Sequence, residues 1–198
     1  MVNQTASVAI ADIARRAKLE EGVLVTRAYG RVFMRALEHV LSEHAEASTI
    51  ILDFTGVAIL DASFADEVFG NFATQRARRQ RSGPCVGLRG LSPSNLENLE
   101  MALASRPIRE PGLRNCVLPI IGIQGEVALL GKVETYIVDT FEFLKKYKSC
   151  TARELADELE LDIGAASTRL KGVADLGLAY RIETRDAHGK QFVYQWAF

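Results

Sequence analysis

Cysteine, proline and tryptophan are scarce in this sequence, and neither sign of charge is in excess. The three cysteines among 198 residues are Cys85, Cys116 and Cys150. An odd count with 31 and then 34 positions between neighbours fits neither a metal site nor a disulfide framework. It reads as buried free thiols in a reducing compartment. Five prolines and 15 glycines are too few for a collagenous or low-complexity chain. No apolar run reaches the roughly 18 residues that a membrane span needs. Residues 1–17 contain Asp12, Arg15 and Arg16 and lack a long apolar core, so no signal peptide is read there. The expectation is a cytoplasmic protein with no membrane contact. Lys plus Arg number 24 against 25 Asp plus Glu, so the chain as a whole does not attract polyanions, although a local patch still could. The three histidines form no HExxH pair, and no GxSxG or supported Cys–His arrangement appears. No catalytic residue, metal or cofactor is expected, and the chain reads as something other than an enzyme.

What is present is an ordinary globular composition, 48% hydrophobic and 25% charged. At about 150 residues per domain, the length allows one large or two small domains. Residues 8–10 form a short apolar stretch that suits an edge strand. From Tyr29 to Leu41, apolar residues recur at helical spacing along one wide stripe, which predicts a long helix. The run STIILDF, residues 48–54, suits a central strand buried on both faces. A second helix is predicted over 62–81, with Phe64, Val68 and Phe72 on one face and Arg76, Arg78, Arg79 and Arg81 as a solvated end. A short strand at 85–88 and a helix at 93–103 follow. Strands alternating with helices give an α/β fold, a small sheet covered by helices. Residues 107–115 hold two prolines and a glycine and read as a turn or linker. Residues 117–123 and 126–130 flank Gln124-Gly125 and suggest a hairpin. GEVALLGK, residues 125–132, misses the phosphate-loop spacing by one residue and lacks the following Ser or Thr.

The last third changes rhythm. A helix is predicted over 132–148. Thr151 and Glu154 make a capping box for a short helix. Asp162 caps the next helix, whose stripe is Ile163, Ala166, Leu170 and Val173, and Gly177 ends it. Two alternating strands follow, with a loop at 185–189 between them. This order, an α+β arrangement of helices and a terminal hairpin, is that of a winged helix-turn-helix. The boundaries read as 1–106 for the first domain, 107–131 for a linker and hairpin, and 132–198 for the second domain.

The segment from Cys150 to Glu183, and within it LKGVADLGLAYR, resembles winged helix-turn-helix domains of bacterial regulators. The resemblance implies a second helix that reads the major groove and a wing that touches the DNA backbone. TRAYGR (26–31), ILDFTGV (51–57) and ASFADEVFG (62–70) resemble the STAS-like domains of unknown function. STAS domains proper act as anti-sigma-factor antagonists and sensory modules, and often carry a phosphorylated serine directly after an aspartate. Here Ala62 stands between Asp61 and Ser63. The resemblance implies a functional loop near Arg27, Arg31, Asp61 and Ser63, where a partner would bind.

In the second domain, Ala165, Thr168, Gly172 and Asp175 stand opposite Leu170, flanked by Arg169 and Lys171. The candidate DNA-contacting residues are Ala165, Ser167, Thr168, Arg169 and Lys171 on the helix, with Arg185, His188 and Lys190 in the wing. Residues 133–198 carry nine Lys or Arg and eleven Asp or Glu, so affinity would rest on dimerisation. Among the acidic residues of the first domain, Asp53 and Asp61 read as turn and N-cap residues, and Asp66 and Glu67 as neighbours that point apart. The expectation is a DNA-binding transcriptional regulator, binding double-stranded DNA as a homodimer. Its STAS-like domain would dimerise, sense a signal or bind a partner. The rival expectation is a protein-binding adaptor in a partner-switching pathway, paired with a kinase-like protein and without DNA binding.

Overall fold

The computed structural model describes residues 4–80, 83–186 and 189–198. The chain divides into two compact units, Met1–Lys132 and Val133–Phe198. Among the described residues, no helix is long and apolar enough to cross a membrane.

The first unit runs β1 (Thr5–Ala9), α1 (Ile10–Arg16), β2 (Val23–Leu24), α2 (Arg27–Glu43), β3 (Thr49–Asp53) and β4 (Ile59–Leu60). Then α3 (Ala62–Ala65), one π-helical turn (Asp66–Gly70) and α4 (Asn71–Ala77) follow without a break. The unit closes with β5 (Cys85–Arg89), α5 (Pro93–Arg109), β6 (Cys116–Ile121) and β7 (Val127–Lys132). Its sheet has the order β1-β3-β5-β6-β7. The first four strands are parallel and β7 is antiparallel to β6. Each crossover steps one place the same way, and right-handed crossovers then put the connecting helices on one face. Alternate strand residues Ile50, Leu52, Val86, Leu88 and Leu118 meet Phe33, Leu37, Phe64, Phe69, Phe72 and Leu103 in one core. β2 and β4 form a separate parallel pair.

Several boundaries differ from the sequence reading. Ile10 begins α1 and does not extend β1. The helical run from Ala62 ends at Ala77 with Arg78 as its C-cap, and Arg81 lies outside the described residues. Arg76 is buried and donates to the Gly83 and Pro84 carbonyls, and Arg78 pairs with Glu110 at 2.9 Å. Arg76 is therefore held inside the unit, whereas Arg78 and Arg79 remain exposed. The helix begun at Pro93 continues to Arg109 and takes in Pro107, so the turn starts later than residue 107. The segment 116–132 forms β6 and β7, which extend the sheet beyond β5. Lys132, the last residue of the GEVALLGK stretch, therefore ends a strand.

The second unit runs α6 (Thr135–Tyr147), β8 (Ser149–Thr151), α7 (Ala152–Glu158), α8 (Ile163–Asp175), β9 (Ala179–Asp186) and β10 (Gly189–Trp196). The strand order is β8-β10-β9, all antiparallel. β8 was not legible in the sequence, since three residues carry too little alternation to stand out. The Thr151 capping box is formed, Asp162 accepts from the Ala165 N–H at 2.8 Å, and Gly177 takes φ +74 after α8.

Candidate functional site

In the first unit the chain turns on Asp61. Its Oδ1 accepts from the Phe64 N–H at 2.6 Å and from Ser63 Oγ at 2.9 Å, and its Oδ2 accepts from the Thr26 N–H at 2.9 Å. One carboxylate thus caps α3 and ties down the start of α2, 35 residues earlier. Burial pushes the Asp61 carboxyl up, and the bonds from Phe64, Thr26 and Ser63 outweigh it and hold it below its ordinary value. Thr26, the N-cap of α2, takes φ 68 and ψ 147, a region in which side chains are rarely found. The sequence reading missed that strain, because Thr is a common N-cap and nothing local demands a positive φ.

One turn further on, Asp66 gathers three guanidinium groups. Arg106 Nε and Arg109 Nη2 each donate to its Oδ1 at 2.6 Å, and Arg27 Nη2 lies 2.8 Å from its Oδ2. Arg106 Nη2 also donates to the Asp66 carbonyl at 2.6 Å. The Asp66 side chain is 5% exposed and that of Arg106 is 9% exposed. Burial alone would push the Asp66 carboxyl up, but the bonds and charges of Arg109 and Arg106 reverse this and bring it down to about 2. Asp66 and Glu67 do not diverge as the sequence suggested. Arg27 reaches both, with Nη1 3.6 Å from Glu67 Oε2. Two glycines let this cluster close. A Cβ on Gly30 would stand 2.9 Å from Glu67 Cβ, and one on Gly70 would stand 3.0 Å from Arg106 Nε.

Of the residues predicted for partner binding, Arg27, Asp61 and Ser63 therefore belong to one bonded region at the start of α2 and α3. Arg31 is exposed on α2, one turn further along. Asp53 sits apart at the end of β3. There it accepts from the Thr55 N–H at 2.9 Å and pairs with Arg89 at 2.6 Å, a turn role.

In the second unit, α8 turns Gly164, Ser167 and Thr168 outward, with Lys171 half-buried beside them. Ala165 is half-buried. Arg169 stacks over Tyr136 of α6, its guanidinium carbon 5.8 Å from the ring centroid. Gly172 does not face outward as the helical wheel suggested, since a Cβ there would lie 3.1 Å from Ile137 Cδ1 of α6. In the hairpin, Lys190 pairs with Glu183 at 2.7 Å. Arg185 is exposed, and His188 lies outside the described residues.

The first unit thus combines a parallel-rich sheet, helices and a carboxylate-capped loop, a mixed α/β unit consistent with a STAS-like fold. Residues 29–80 match the family model of the STAS-like domain of unknown function (DUF4325). The match takes in Asp53, Asp61, Ser63 and Asp66 and stops short of Arg106, Arg109 and the second unit. No curated protein matches the chain.

Proposed function

We propose that the protein is a cytoplasmic, DNA-binding transcriptional regulator. Its second unit acts as a winged helix-turn-helix, and its STAS-like unit dimerises, senses a signal or binds a partner. The observation that carries this reading is the order α6, β8, α7, α8, β9, β10, with a capped four-residue connection before α8. α8 offers small and polar side chains outward, Gly164, Ser167 and Thr168, which let a helix approach base edges. Lys171 and Arg185 supply phosphate contacts.

The adaptor reading keeps one observation in its favour. Lys190 is neutralised by Glu183 and Arg169 rests on Tyr136, so two of the candidate DNA cations are already engaged. In that reading the same helix face meets a protein.

Fluorescence anisotropy of the full chain against DNA from its own upstream region, across a salt series, separates the two. A regulator binds with sequence preference and loses binding when Thr168→Glu and Lys171→Glu are combined. An adaptor shows no binding at low salt while folded and co-purifies with a kinase-like partner.

A further inference from the structure

The C-terminal ends of β3, β5 and β6 open into a cavity of about 700 Å³ in the first unit. That volume lies within the range of roughly 300–1,000 Å³ typical of small-molecule sites. Phe54, Leu88, Leu96, Ile120 and Ile121 line the cavity. Ile123 stands fully exposed at its edge, and Leu91 is half-buried.

The polar groups of the cavity are few. The amide N–H groups of Leu91 and Ser92, two consecutive lining residues, have no protein acceptor among the described residues, whereas the Gly90 N–H is taken up by the β5–β6 pairing. Gly90 takes φ +74, and a Cβ there would lie 2.8 Å from Thr55 Oγ1, so backbone meets the 53–55 turn with no side chain between. Arg89 is the charged residue among those lining the cavity, and its guanidinium is engaged by Asp53 at 2.6 Å and Ser7 at 3.2 Å. The cavity therefore presents an apolar wall, a short row of neutral donors and no uncompensated cation. A nucleotide would bring several negative charges to a place that offers none in return.

We infer that this cavity binds a small, largely apolar molecule bearing one acceptor group, a carboxylate or carbonyl oxygen, which bonds the Leu91 and Ser92 amides while the body packs on Leu96 and Ile120. The site lies wholly within the STAS-like unit and does not depend on DNA binding.

Titration of the full chain with anilinonaphthalene sulfonate, an aromatic body with one anionic group, tests the inference. Decanoate serves as competitor. The expected result is one saturable site per chain, displaced by decanoate. Leu96→Trp, which fills the cavity, weakens binding about tenfold, and Ile123→Glu, on an exposed residue that cannot disturb the core, weakens it several-fold. Near-UV circular dichroism checks that each variant is folded, and if Leu96→Trp is not, Ile123→Glu decides. Binding that is unsaturable, or indifferent to the folded variants, overturns the site. A fluorescent ATP analogue that binds more tightly than the probe overturns the ligand class.

Discussion

Asp66 satisfies three arginines with two oxygens and is nearly sealed from water, so its neutralisation removes the central anion of the cluster and leaves the buried Arg106 with Glu110 as its remaining carboxylate. Breaking such a pair costs about 3 kcal/mol. We expect Asp66→Asn to lower the unfolding free energy by that order at neutral pH, measured by urea denaturation. The carboxyl is depressed from 3.8 to about 2, so its stabilisation is complete above the unfolded value and is lost as pH falls through the folded one. The gap between wild type and Asp66→Asn should therefore close between about pH 4 and pH 2. The thiols give the opposite kind of prediction. Burial pushes Cys85 and Cys150 up to about 12 and Cys116 up to about 11. With almost no thiolate at neutral pH, all three should resist iodoacetamide in the native protein and react once it is unfolded. The burial of the cysteines was legible, since an isolated thiol behaves as a small apolar side chain. The Asp66 cluster was not, because Arg106 and Arg109 come from 40 and 43 residues away and only the fold brings them together.

Helix ends are where sequence and structure agree best. Thr151 with Glu154, Asp162 and Gly177 each act within a few residues of themselves, so local pattern suffices. Pro107 shows the limit of that logic. A proline inside a helix removes a hydrogen bond and crowds the preceding turn. Yet α5 passes through it, because Arg106 and Arg109 on either side are both bound to Asp66. Thr26 is a second case, an N-cap whose backbone adopts a conformation suited to glycine. Thr26→Gly should relieve strain of about 1 kcal/mol or more while losing only a few tenths from the cap, so thermal stability should rise. Gly30→Val should do the reverse. Its side chain would press on Glu67 Cβ, and overpacking of this kind costs about 1–3 kcal/mol, read from the same denaturation curves.

At the scale of the whole molecule, the near-balance of charge sets how any DNA binding must behave. Among the described cations of α8 and the hairpin, few are free to meet phosphate, chiefly Lys171 and Arg185, since Lys190 is paired with Glu183 and Arg169 lies over Tyr136. If the regulator reading holds, log affinity should fall with log salt at a shallow slope, about −2 per protomer. A slope several times steeper would show that cations outside α8 and the hairpin carry the contact. The alternation of strands and helices, and the change of rhythm after residue 132, were visible in the sequence because each element has its own periodicity. The place of the 116–132 segment in the sheet was not, because strand pairing is decided by partners distant in sequence.

The turn at Asp66–Gly70 bears on how this chain should be aligned with others. A π-helical turn holds one residue more than an α-helical turn, so everything after it is rotated by about 100° relative to a regular helix of the same length. A related chain with an uninterrupted α-helix here would be one residue shorter. The gap belongs inside residues 66–70. If it is placed later, the packing face of α4 would be compared with positions that point elsewhere.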